Sequence, residues 1–114
     1  MSAILEDIKI EKNANFSYEF IVKQSDGTPL DLSTATALSS LKKSYEATTS
    51  TLDFTTSIVS PATDGKVRLT LDSTQTATLD HNRRYVYDVI LQLNGEVQRV
   101  RQGKVYVSPS VTTV

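Results

Sequence analysis

Acid–base chemistry in this chain would have to run through its single histidine, His81, or through its carboxylates. His81 follows Asp80 in the polar run LDHNRRY. Two neighbours in a loop do not make a catalytic relay, which needs a nucleophile, a base and an orienting group brought together by the fold. His81 therefore reads as a solvated loop residue. Asp26, Asp31, Asp64 and Asp72 each sit beside turn-forming residues. Calcium requires several oxygens converging on one ion, and no DxDxDG-like spacing is present. Turn formation is the expected role of these aspartates. The absence of cysteine excludes disulfides, thiolate nucleophiles and cysteine-ligated metals. Four glycines compose no phosphate-binding loop. The expectation is a non-enzyme with no catalytic, cofactor-binding or metal-ligating residues.

Charge is the other chemical feature. Between His81 and Val107, the cations Arg83, Arg84, Arg99, Arg101 and Lys104 meet only Asp88 and Glu96. Residues 1–31 show the reverse, with six acids (Glu6, Asp7, Glu11, Glu19, Asp26, Asp31) against Lys9, Lys12 and Lys23. Solvated faces are the plain reading. The sharper expectation is an interface on the five cations, docking copies head to tail through opposite patches. Tyr18, Tyr45 and Tyr106 suit sugar stacking, but core or interface packing is the better expectation, since aromatics are 7% of the chain and tryptophan is absent.

The elements that must position these residues are strands. Tyr85 to Val107 is the clearest: Tyr85, Tyr87, Val89, Leu91 and Leu93 alternate, Asn94-Gly95 intervenes, and a second extended run follows. Period-two spacing places the five on one strand face. Asn-Gly accepts the positive φ that a two-residue type I′ turn demands. Gln102-Gly103 is the expected site of a bulge in the second run. Upstream, strands are predicted over Ile4–Lys12, Phe16–Lys23, Ala35–Lys43, Leu52–Val59 and Lys66–Asp72. Pro29–Leu32 reads as a crossover tucking Leu30 and Leu32 under the core, since Pro29 has no N–H for a ladder. Asp72 or Ser73, followed by Gln75 or Thr76, makes a capping-box pattern that opens one short helix over Ser73–Leu79. Residues 108–114 read as an exposed tail.

Seven strands, turn signals at short intervals and no long amphipathic helix predict an all-β immunoglobulin-like sandwich of two antiparallel sheets, with the helix before the penultimate strand. The 114 residues form one domain, 1–114. Serine and threonine make up 28 of them, which favours strands and edges. Leu79 precedes Tyr85 by six residues where the chain crosses between sheets, so Tyr85 is expected to bond its hydroxyl to upstream backbone, as a tyrosine corner does. Twelve basic and thirteen acidic residues nearly cancel, which argues against nucleic acid as a partner. No apolar run is long enough for a membrane helix, and the acidic N-terminal stretch MSAILEDIKI does not read as a signal peptide.

Three runs in fixed order carry a resemblance. Ile10, Asn13 and Phe16 lead into SDGTPLDLSTAT at 25–36; DGKVRLTLDSTQTATL follows at 64–79; YVYDVILQLNGEVQRVRQGKVYVSPSVTT closes at 85–113. Together they resemble small immunoglobulin-like virion proteins of tailed bacteriophages. The N-terminal half is also similar to the sandwich domain that anchors upper baseplate proteins of some siphophages. The resemblance implies a structural part of a capsid (as decoration), tail, baseplate or neck, made in the host cytoplasm and located in the virion. It implies partners among other virion proteins, including copies of the chain itself, and no catalytic residues. The chain departs from the family pattern at 43–57 (KSYEATTSTLDFTTS), and that loop and the Asn94-Gly95 tip are the places expected to carry partner specificity. The alternative function is a carbohydrate-binding or host-surface adhesion module.

Overall fold

The computed structural model describes residues 4–24 and 26–109. Its strands are β1 (Ile4–Leu5), β2 (Ile8–Glu11), β3 (Phe16–Ile21), β4 (Thr36–Lys42), β5 (Leu52–Asp53), β6 (Thr55–Ile58), β7 (Lys66–Leu71), β8 (Tyr85–Leu93) and β9 (Glu96–Ser108). Among the described residues there is one helix, α1, over Ser73–Thr76, and a 3-10 turn over Ala62–Asp64.

The β8–β9 hairpin is the spine. Tyr85, Tyr87, Val89 and Leu91 of β8 are buried while the residues between them are not. Leu93 pairs with Glu96, leaving Asn94 (φ 52°) and Gly95 (φ 84°) as a two-residue loop in the left-handed region. That is the geometry a type I′ turn needs to match strand twist.

Around the hairpin, β1 and β2 lie on the outer side of β9, and β4 followed by β5 lies beyond β8. The second sheet runs β3-β7-β6. The chain changes sheet between β2 and β3, between β3 and β4, between β5 and β6, and between β7 and β8. This is the Greek-key order of an immunoglobulin-like sandwich. Ile10, Leu41, Val67, Leu69, Tyr87, Val89 and Val105 fill the space between the sheets. Leu32, fully buried, and Leu30, half-buried, close the core from the crossover.

Several expectations are corrected. The sandwich is not antiparallel throughout: β1 and β2 both run parallel to β9. No hairpin joins them to β9, so nothing forces reversal. The strand expected over Leu52–Val59 is two strands, because Phe54 crosses between sheets. Its ring lies 5.9 Å from Phe16 of one sheet and 6.4 Å from Tyr87 of the other. The bulge lies not at Gly103 but at Val100, the extra residue where Val89 pairs with Arg101 and Ile90 with Arg99. Finally, Ser108 is no tail residue: it ends β9, paired with Glu11. Residues 110–114 of the expected tail lie outside the described residues.

The first strand breaks at Glu6-Asp7 for a visible reason. Asp7 Oδ1 accepts the Lys104 N–H at 2.9 Å, and the Tyr87 hydroxyl donates to the Glu6 carbonyl at 2.6 Å. Both bonds hold the junction against the hairpin where Gly103 has no side chain.

α1 ends at Thr76, short of Leu79. Its capping box is complete: Asp72 Oδ1 accepts the Gln75 N–H at 2.8 Å, and Gln75 Oε1 accepts the Asp72 N–H at 3.0 Å. Beyond it, Leu79 is fully buried and the Tyr85 hydroxyl accepts the Asp80 N–H at 2.9 Å. Tyr85 thus ties the crossover to the start of β8. Tyr85→Phe should lower stability by about 1 kcal/mol through one lost hydrogen bond. An unchanged urea midpoint would show that the bond contributes nothing.

Candidate functional site

The bulge decides what the cations can do. Arg99 and Arg101 are two residues apart, and a regular strand would present both on one face. Val100 as an extra residue turns them to opposite faces. Arg99 points outward to Asp88 (3.2 Å), with 54% of its side chain exposed. Arg101 points inward, with 11% of its side chain exposed. Its guanidinium lies 4.6 Å over the Phe20 ring, its Nη1 donates to the Tyr18 hydroxyl at 3.0 Å, and the same nitrogen pairs with the Glu6 carboxylate. Its Nε–H is buried without an acceptor.

The five cations are therefore not one docking patch, and Arg101 is withdrawn from the expected interface. Opposite charges from the two ends of the chain meet within the molecule, because β1 and β2 lie along β9. Glu6 serves Arg101, and Asp7 caps the Lys104 backbone. The Lys104 side chain remains exposed, as do Arg83 and Arg84. Arg84 covers the Tyr106 ring at 5.3 Å. A parity change in the valines signals the bulge: Val100 is even, Val105 and Val107 are odd, and all three face the core.

Tyr18 is turned inward to Arg101, which removes it from any surface trio with Tyr45 and Tyr106. Burial, and then the Glu6 carboxylate, push its hydroxyl up to about 12 from 10.0, with Arg101 opposing. Burial raises Tyr87 as well. Below about pH 10 both folded and unfolded chains keep the Tyr18 proton. Between about 10 and 12 the unfolded chain releases it first, so stability falls as pH rises. The urea midpoint should drop across that window, and Tyr18→Phe should make the drop shallower. Equal slopes would contradict this assignment.

His81 lies exposed in the turn before β8. Among the described residues, no group of three or more His, Asp or Glu is placed to hold a metal ion. The aspartates shape turns. Asp26 accepts from the Thr28 N–H (3.0 Å) and hydroxyl (2.6 Å), which holds its carboxyl below the usual range. Asp31 accepts the Ser33 N–H at 3.0 Å.

Two surfaces remain. The outer face of the larger sheet follows from register: Leu38, Ile90 and Arg99 form one row, Thr36, Gln92 and Val97 the next. Val97 is 63% exposed, Leu38 51% and, on the edge strand β1, Leu5 74%. The second surface is an open cleft of about 700 Å³ between the end of β3 and the upstream half of β9. Ile4, Phe20, Ile21, Val22, Leu30, Leu93 and Val100 make its apolar walls; Lys23, Gln24, Gln98 and Arg101 supply the polar groups.

Fold and surfaces define an immunoglobulin-like sandwich whose exposed features are sheet faces and edges. No family model matches the chain, and no curated protein matches it. Solved structures with similar chain paths include the BTLA ectodomain, at 13% identity and TM-score 0.48, covering 90% of this chain and 89% of that one. The tandem Ig repeats of Dlar align at 9% identity and TM-score 0.43, over 91% of this chain and 43% of theirs. The inferred receptor binding domain of the human endogenous retrovirus envelope EnvP(b)1 aligns at 14% and 0.47, over 95% and 94%. At these scores they carry no argument, and the assignment rests on strand order.

Proposed function

We propose that this chain is a non-enzymatic binding module that acts through protein–protein contacts as a structural component of a tailed-phage virion. The observation supporting a binding role is the outer face of the larger sheet. Leu38, Ile90 and Val97 lie on adjacent strands there, with Leu5 and Tyr45 farther along. Exposed apolar groups gathered on one face, with charges such as Arg99 and Lys104 among them, mark an interaction surface. The virion assignment is supported by the three ordered sequence runs at 10–36, 64–79 and 85–113.

An antibody against the chain tests the assignment directly. It should label capsid, neck, tail or baseplate of particles of the phage that encodes the chain. Purified particles free of the protein would sink the virion reading. Light scattering over a concentration series then separates self-assembly from recognition of another virion protein: a mass above the 12.6 kDa monomer that is lost in Val97→Asp places copies on the outer face. A glycan-binding screen tests the adhesion alternative.

A further inference from the structure

We infer that the cleft beside β3 is a second docking site, which receives an extended, acidic segment of another protein chain as an added strand. The inference rests on the protein-binding reading but uses a different surface. Register identifies the free backbone. Val22 N–H donates to Gly65 O at 2.8 Å, continuing the β3–β7 pairing, so even-numbered residues of β3 direct their N–H and C=O groups at β7. Those of Ser17, Glu19 and Ile21 point the other way, and no described strand pairs with them.

An open edge six residues long is a template for strand addition, and proteins usually blunt one with proline, a bulge or shortness. β3 contains no proline, and its ladder to β7 has no register shift. The other outer strands, β1, β2, β5 and β6, have two, four, two and four residues. The apolar cleft runs from the end of β3, with Phe20, Val22, Leu30 and Val100 placed to take the alternate side chains of an incoming strand. Charge selects the occupant. Lys23 lines the cleft beside Arg101, whose charge Glu6 already meets, and no carboxylate is among the lining residues. Arg101 also has the buried Nε–H that lacks an acceptor.

The test uses a short capped peptide alternating valine with polar residues and carrying two aspartates, titrated into the full chain and followed by backbone NMR. The expected result is shifts and slowed amide exchange at Ser17, Glu19 and Ile21. Ile21→Pro removes an N–H that the fold does not use, so it should weaken peptide binding by about tenfold, the size of one lost backbone hydrogen bond. Lys23→Glu should weaken the aspartate peptide and improve a lysine-substituted one, and it keeps the test decisive if Ile21→Pro fails to fold. Val97→Asp, on the outer face, should leave the peptide affinity unchanged. No binding at millimolar peptide, or shifts mapping to Leu38 and Ile90, would overturn the inference while leaving the outer-face reading intact.

Discussion

Arg101→Glu is expected to cost about 3 kcal/mol, the low end of the range for breaking a buried charge pair because Glu6 is half exposed, while Arg99→Glu costs under about 1 kcal/mol. The two arginines flank one valine and differ only in the face the bulge gives them. Arg99 is more than half exposed and meets Asp88 in solvent. Its reversal loses a screened surface pair and sets a second carboxylate near Asp88, where solvent screens the repulsion. Arg101 is nearly buried, stacked over Phe20 and bonded to Tyr18 and Glu6. A glutamate there would bring a second carboxylate to Glu6 and leave the Tyr18 hydroxyl without its cation. Arg101→Met separates the contributions: it keeps the packing over Phe20, removes the charge, and should cost clearly less than the reversal. Chemical denaturation of the three variants reads the order. Equal midpoints for the Arg99 and Arg101 reversals would mean that Arg101 is not held between the sheets.

Gly103→Ala should destabilise by about 3 kcal/mol, the upper part of the range for overpacking. A Cβ at this position would lie 2.1 Å from the Glu6 carbonyl oxygen and 2.7 Å from its carbon. Both are backbone atoms, so no side-chain rotation relieves the clash. The β1–β2 junction has to move away from the hairpin. That movement pulls the Glu6 carbonyl off the Tyr87 hydroxyl and the Asp7 carboxylate off the Lys104 N–H. A fully buried tyrosine hydroxyl is then left without its acceptor. A denaturation midpoint within about 0.5 kcal/mol of wild type would show that the junction yields freely. Amide exchange would locate the response: protection should drop first at Glu6, whose N–H donates to Gln102, and at Lys104.

The periodic features were legible in the sequence because they are local. Alternation in Tyr85–Leu93 and Lys66–Leu71 defines a buried and a wet face whatever the partner strand. Asn94-Gly95 sets the hairpin loop through its own φ angles. Asp72 and Gln75 build the capping box from residues three apart. The six-residue step from Leu79 to Tyr85 places the tyrosine corner for the same reason: a short polar loop holds the hydroxyl near the backbone it bonds.

Charge patterning misled because segment totals carry no direction. The acidic N-terminal third and the basic hairpin look like complementary surfaces for two molecules. Parallel pairing of β1 and β2 with β9 instead brings Glu6 and Asp7 onto the hairpin of their own chain, and nothing local dictates that pairing. The valine parity change held the one local clue to the bulge, and it was overshadowed by Gly103. That glycine answers to a long-range demand, the close approach of Glu6.

The sequence by itself determined the periodic strands β3, β7 and β8, the hairpin loop, the helix cap and the tyrosine corner, since each depends on backbone preferences and side-chain spacing within a few residues. Only the tertiary structure decided which arginine is buried, where Phe54 switches sheets, and that an apolar cleft opens beside a free β3 edge. Those features depend on register and on the approach of segments distant in the chain, where one extra residue reverses every side chain that follows.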